Sequence, residues 1–106
     1  MLTRSARFTG ILLAFLLLLL ATSAFAEISR INLDGAIDPI TAEFVVRSVK
    51  RAESEHIQLL LIRLQTPGGF GTSMEEIITG MINSKVPVVV YVAPSGGKAA
   101  SAGFFI

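Results

Sequence analysis

The stretch Ile57-Gln58-Leu59-Leu60-Leu61-Ile62-Arg63-Leu64-Gln65-Thr66-Pro67-Gly68-Gly69 decides the fold. Residues 57–64 form a short apolar run interrupted only by Gln58 and Arg63. Such a run suits a strand buried on both faces, as parallel strands between helices usually are. It stops at Thr66-Pro67-Gly68-Gly69, where proline removes an amide donor and glycine admits turn conformations closed to other residues.

Working back from this strand, Ile40, Phe44, Val45, Ser48, Val49 and Ala52 recur at three-to-four spacing, with Glu43, Arg47, Lys50 and Arg51 opposite. This is an amphipathic helix whose apolar stripe packs on a sheet. Asp38 is placed to cap it and Pro39 to occupy its first turn. Before it, residues 27–33 alternate through Ile28, Ile31 and Leu33 as a strand ending at an Asp34-Gly35 turn. Forward of the loop, Ser73 and Glu76 have the spacing of a capping box. Met74, Ile77, Ile78, Met81 and Ile82 then line one side of a second helix, which Lys85 and Pro87 close. Residues 86–92 are β-branched and nearly all apolar, a third buried strand, and residues 93–97 turn into the small residues that start another helix. The order βαβαβ predicts an α/β fold with a parallel sheet and right-handed crossovers.

The first 26 residues have a different character. Arg4 and Arg7 precede a Leu-rich run over residues 11–20, and Ala24-Phe25-Ala26 presents small residues about a bulky one. These are the three parts of a secretory signal peptide, with cleavage expected after Ala26. The apolar run of about ten residues is half the roughly twenty needed to span a bilayer. Without Arg4 and Arg7, seven Lys and Arg face eight Asp and Glu. The rest is near neutral, with no basic stripe for nucleic acid. The chain has no cysteine, which excludes disulfides, thiolate catalysis and Cys-ligated zinc. Nor do His, Asp and Glu cluster at metal-ligand spacing, so no metal or other cofactor is expected. Residues 27–106 carry no repeat, linker or long charge run and read as one unit.

In parallel sheets, ligands collect at the carboxyl ends of strands, where loops lead into helix N-termini. Residues 66–71 and 93–102 are such loops, both rich in glycine. In the second, Ser101 sits among small neighbours in Lys98-Ala99-Ala100-Ser101-Ala102-Gly103, the setting a nucleophile needs, although serine there also suits a cap or a helix contact. In the first, Gly68 or Gly69 could turn an amide toward a reacting carbonyl, although Pro-Gly-Gly also makes an ordinary turn. Lys98 reads as a solvated charge, Ser95 as part of a turn, and His56 as a helix C-terminal residue at the wrong end of the sheet for catalysis.

Leu64-Gln65-Thr66-Pro67-Gly68-Gly69, then Val88-Val89-Val90-Tyr91-Val92, then Ala99-Ala100-Ser101-Ala102-Gly103, in this order and spacing, resemble the ClpP-class serine proteases. Within that class the exported start, Ile31-Asn32-Leu33-Asp34-Gly35-Ala36-Ile37 and Pro94-Ser95-Gly96-Gly97-Lys98-Ala99-Ala100-Ser101 are most similar to the NfeD group of membrane-bound proteases. The resemblance covers essentially all of residues 27–106. It implies a ClpP/crotonase-like fold, of which these residues are the N-terminal part, cut after the third strand.

The same resemblance implies that Ser101 is the nucleophile, and that backbone amides around Gly68 or Gly69 and of Ala102 form the oxyanion hole. The general base in this class is a Lys on a helix well downstream, so the 106 residues alone are expected to be inactive. A peptide or membrane-protein substrate such as a stomatin-like protein is implied, with a homo-oligomeric protease domain outside the cytoplasmic membrane. Relatives continue into transmembrane helices and a small β-barrel. Two alternatives remain at this point: a non-catalytic scaffold of the same fold, and a crotonase-type acyl-CoA enzyme, which export away from cytoplasmic CoA disfavours.

Overall fold

The computed structural model describes residues 4–21 and 25–106. The Leu-rich run lies in helix α1 (Arg4–Ala21), whose large apolar side chains are exposed. Among the described residues no helix is long and apolar enough to cross a membrane. Ala24, the first residue of the expected cleavage motif, lies outside the described residues.

Strands β1 (Ile28–Asp34), β2 (Leu59–Gln65) and β3 (Val88–Val92) form a parallel sheet in the order β1-β2-β3. Register sets Ile31 beside Ile62 and Val90, and Leu33 beside Leu64 and Val92. Helices α2 (Pro39–Ser54) and α3 (Gly71–Ile82) are the two crossovers, and the buried core joins Leu33, Leu60, Ile62 and Leu64 to Val45, Val49 and Ile77. Each such side chain contributes about 1.5–3 kcal/mol on burial. The predicted alternation of strands and helices is therefore the observed one.

Helix α2 begins as its sequence predicts. The Asp38 carboxylate accepts the Thr41 N–H at 2.8 Å, the Thr41 hydroxyl accepts the Asp38 N–H at 2.8 Å, and Pro39 occupies the first turn. At its other end His56 adopts φ 54°. Its N–H donates to Glu53 O at 3.3 Å, and that of Ile57 to Ala52 O at 2.9 Å. This is a Schellman stop. The backbone of His56, rather than its imidazole, satisfies the last carbonyls.

Four expectations need correction. First, β2 is not buried on both faces. Leu60, Ile62 and Leu64 are buried toward the helices, whereas Leu59, Leu61 and Arg63 are half-buried on a face that no described element covers. The run is continuously apolar, yet its pleat still divides it between a dry and a wetter side. There Arg63 reaches Asn32 and Asp34, each at 3.2 Å. Second, β3 is an edge strand and only half-buried.

Third, the core stripe of α2 runs through Ala42, Val45, Val49 and Ala52. Ile40 is 77% exposed and Phe44 is also exposed, because small alanines at both ends let the helix axis approach the sheet along their row. Fourth, Ser73 and Glu76 form no capping box. α3 starts earlier, at Gly71, with Phe70 as an N-cap lacking a side-chain bond, and Ser73 is buried within the helix. The backbone fixes this start instead, because the Phe70 N–H donates to Ile37 O at 2.8 Å.

Candidate active site

At the carboxyl end of the sheet three loops are laced together by backbone hydrogen bonds. The Ile37 N–H donates to Gly68 O at 2.9 Å, and Ile37 O accepts from Phe70, so Ile37 and Gly69 form a parallel bridge. The Thr66 N–H donates to Lys98 O at 2.6 Å, and the Ala100 N–H to Thr66 O at 3.1 Å, a second bridge between Thr66 and Ala99. Residues 93–97 make the expected turn, closed by the Gly97 N–H on Pro94 O at 2.7 Å. The chain thereby leaves β3, loops out, and returns beside Thr66 just before Ser101.

Ser101 opens a short 3-10 helix, Ser101–Phe105, with Ala102 and Gly103 buried behind it. Ser101 is exposed and adopts φ 52°, a left-handed conformation costly for any residue with a Cβ. Facing it is Gly68, at φ 109°. A Cβ on Gly68 would stand 2.6 Å from Ser101 Cβ, 3.0 Å from Ala100 O and 3.1 Å from Ser101 Oγ. A Cβ on Gly69 would lie 1.9 Å from Ile37 O, so the bridge to Ile37 requires glycine there.

The amides of the two loops differ. The Gly68 N–H is occupied, donating to Thr66 Oγ1 at 3.1 Å. The N–H groups of Gly69 and Ala102 have no acceptor among the described residues. The Ser101 hydroxyl likewise has no hydrogen-bond partner among them.

The structure thus brings Ser101, Gly68, Gly69 and Ala102 to one place. His56 lies before β2 and Thr66 after it, so the two sit at opposite ends of that strand. Asp38 is engaged as a helix cap and Asp34 with Arg63. Lys98 contributes its carbonyl to Thr66 while the residue is exposed, and Ser95 is exposed in the turn. Arg51 is held above its ordinary value by its hydrogen bond to Glu55, on the exposed face of α2. A groove of about 560 Å³ between α2 and α3, lined by Val46, Lys50, Glu53, Glu76 and Gly80, includes none of Ser101, Gly68, Gly69 and Ala102. No cluster of metal-ligating side chains occurs among the described residues.

Sequence reasoning missed Thr66, which is 0% exposed and touches both loops. The available signal was a hydroxyl residue between a buried strand and Pro-Gly-Gly, where a short side chain can bond the turn's own backbone.

No protein-family model matches the chain. Among characterised proteins it is 37% identical, over 75 residues and 71% of its length, to the membrane-bound protease PH1510 of Pyrococcus horikoshii. It spans 17% of that relative's length. The fold superposes on the solved 1510-N membrane-bound stomatin-specific protease, in its lysine-to-alanine mutant with a substrate peptide, with TM-score 0.72 and 35% identity. That match covers 76% of this chain and 36% of the other. A serine-to-alanine mutant of the same protease gives TM-score 0.73 at 34% identity, covering 76% and 39%. A ClpP1 mutant from Listeria monocytogenes gives 0.66 at 25% identity, covering 72% and 43%.

The fold is therefore that of the ClpP class of proteases. Within that class the chain is a homologue of the NfeD-type membrane-bound proteases, matching their N-terminal protease region.

Proposed function

We propose that this chain supplies the nucleophile and oxyanion hole of a serine endopeptidase that cuts segments of membrane proteins. The observation that carries the reading is the meeting of Ser101, in its left-handed conformation, with the Gly68-Gly69 loop and two unengaged amides. In this reading Ser101 Oγ bonds to the scissile carbonyl carbon and its proton passes to a base. The negative charge that develops on the carbonyl oxygen is held by the N–H groups of Gly69 and Ala102. The C–N bond then breaks, the leaving amine takes the proton, and water releases the acyl group by the same steps.

Of the oxyanion donors that the sequence offers, Gly69 is preferred to Gly68, because the Gly68 amide is already bonded to Thr66. Gly68 contributes room beside the hydroxyl instead. The base is proposed to be a lysine outside the described residues, since Lys98 makes no bond to Ser101 and Lys50 and Lys85 line a cavity with His56 at the far end of β2. The lysine-to-alanine and serine-to-alanine forms in which the relative has been solved support this pair of residue types. We further propose that residues 27–106 alone do not hydrolyse peptides.

The relative is stomatin-specific and membrane-bound, which supports a stomatin-like substrate and a membrane-associated setting here. The apolar run in α1 supports export, with the protease region outside the cytoplasmic membrane. The open sheet edges at β1 and β3 and the uncovered sheet face support association with further copies or chain segments.

The test is covalent labelling by a fluorophosphonate, together with hydrolysis of a stomatin-like peptide, by the protein as its cell makes it. Wild type is expected to label and cleave, and Ser101→Ala to do neither. Equal labelling of both would leave Ser101 a structural residue and make the scaffold reading the better one.

A further inference from the structure

We infer that Thr66 is the positioning residue of this site, the spacer that sets the oxyanion loop against the nucleophile. The inference rests on the serine-protease reading above and concerns a residue outside the reacting groups. Thr66 is fully buried and uses every polar atom and its methyl group on the two loops. Its Oγ1 accepts the Gly68 N–H at 3.1 Å. Its backbone N–H and carbonyl bond Lys98 and Ala100, flanking the bridge to Ala99 just before Ser101. Its Cγ2 fills the space where a side chain on Gly103 would begin, 2.2 Å from that ideal Cβ position.

The hydroxyl and methyl therefore act in different directions. The hydroxyl accepts the Gly68 N–H and also donates to Gly68 O at 3.4 Å, so it grips the peptides on both sides of Gly68. With the Ile37 N–H on the same carbonyl, it thereby holds the Gly68–Gly69 peptide and the direction of the Gly69 amide. The methyl, pressed against Gly103, sets how far the 3-10 helix carrying Ser101 and Ala102 stands from β2. An oxyanion hole built from one amide of each loop depends on the distance between them, and a misplacement of about 1 Å costs about a hundredfold in rate. Thr66 touches neither substrate nor reacting atoms. It acts through Gly69 and Ala102.

Thr66→Val keeps shape and methyl and loses the hydroxyl, and Thr66→Ser keeps the hydroxyl and loses the methyl. The experiment measures peptide hydrolysis and fluorophosphonate inactivation for wild type, Thr66→Val, Thr66→Ser and Ser101→Ala in the whole protein as its cell makes it. The expected result for Thr66→Val is a kcat lower by about a hundredfold with KM within about twofold, because the loss falls on the transition state. Thr66→Ser is expected to recover kcat to within about tenfold of wild type.

A Thr66→Val enzyme with kcat within about threefold of wild type overturns the inference, as does a Thr66→Ser enzyme no better than Thr66→Val. Undiminished activity of Ser101→Ala sinks the protease reading instead, and is seen in a separate arm. Amide hydrogen exchange at Gly68 in wild type and Thr66→Ser serves if Thr66→Val does not fold. Exchange slowed by about tenfold or more relative to a free loop amide supports the hydroxyl clamp, and exchange at the free rate overturns it.

Discussion

Gly68 and Ser101 stand so close that a β-carbon on the glycine would lie 2.6 Å from that of the serine. The two residues belong to loops after different strands, and each is in a left-handed backbone conformation, at φ 109° and 52°. Gly68→Ala meets two penalties at once, a forbidden dihedral and a clash with Ser101 and Ala100. It is expected to destabilise the protein by about 3 kcal/mol and to abolish labelling of Ser101. Chemical denaturation and the covalent probe read both, and an unchanged midpoint with full labelling would refute the packing described.

Gly103 and Thr66 make a second close pair, and here the partner is a methyl group. Gly103→Ala alone should be destabilising, because its Cβ would overlap Thr66 Cγ2. Thr66→Ser removes that methyl. A double-mutant cycle is therefore expected to show a favourable coupling of about 1 kcal/mol, with Gly103→Ala tolerated better in the Thr66→Ser background. Additive effects would mean the overlap is relieved some other way.

The left-handed conformation of Ser101 gives a test that needs no substrate. Glycine normally destabilises relative to alanine, through its larger unfolded-state entropy. At φ 52° the order should invert, with Ser101→Gly more stable than Ser101→Ala by about 1 kcal/mol. Thermal unfolding of the two variants decides it. If Ser101→Ala is the more stable, the residue does not hold that conformation in solution.

Asp38 offers a control far from catalysis in role, though near in space through Ile37. Asp38→Ala loses the bond to the Thr41 N–H and should lower stability by about 1 kcal/mol. Asp38→Asn keeps an acceptor and should recover most of it. Equal losses in the two variants would show that the cap bond is not what matters there.

Much of the fold was legible in advance. The three strands, two helices and both loops were placed within a few residues, and Asp38 with Pro39 marked the start of α2. What failed was exposure. The spacing puts Ile40 and Phe44 in the core stripe, β2 reads as buried on both faces and β3 as a buried strand, because periodicity reports which residues share a side without saying what covers it. Ser73 and Glu76 had the right spacing for a cap, yet backbone pairing between Phe70 and Ile37 had already fixed the helix start. Of the site, Ser101, Gly68, Gly69 and Ala102 were named from loop composition and resemblance. Thr66 was passed over because a buried threonine beside a turn looks like any strand end.

The order of strands and helices, the cap of α2 and the two glycine-rich loops follow from the amino-acid sequence read locally, since each depends on neighbours within a few positions of the chain. The tertiary fold is what turns Gly68 toward Ser101, sets Thr66 between Gly68 and Gly103, and leaves the Gly69 and Ala102 amides without an acceptor among the described residues. Those relationships arise from the register of β2 against β3 and from the bridges Ile37–Gly69 and Thr66–Ala99. Local propensity carries no information about which distant backbone will satisfy a given amide.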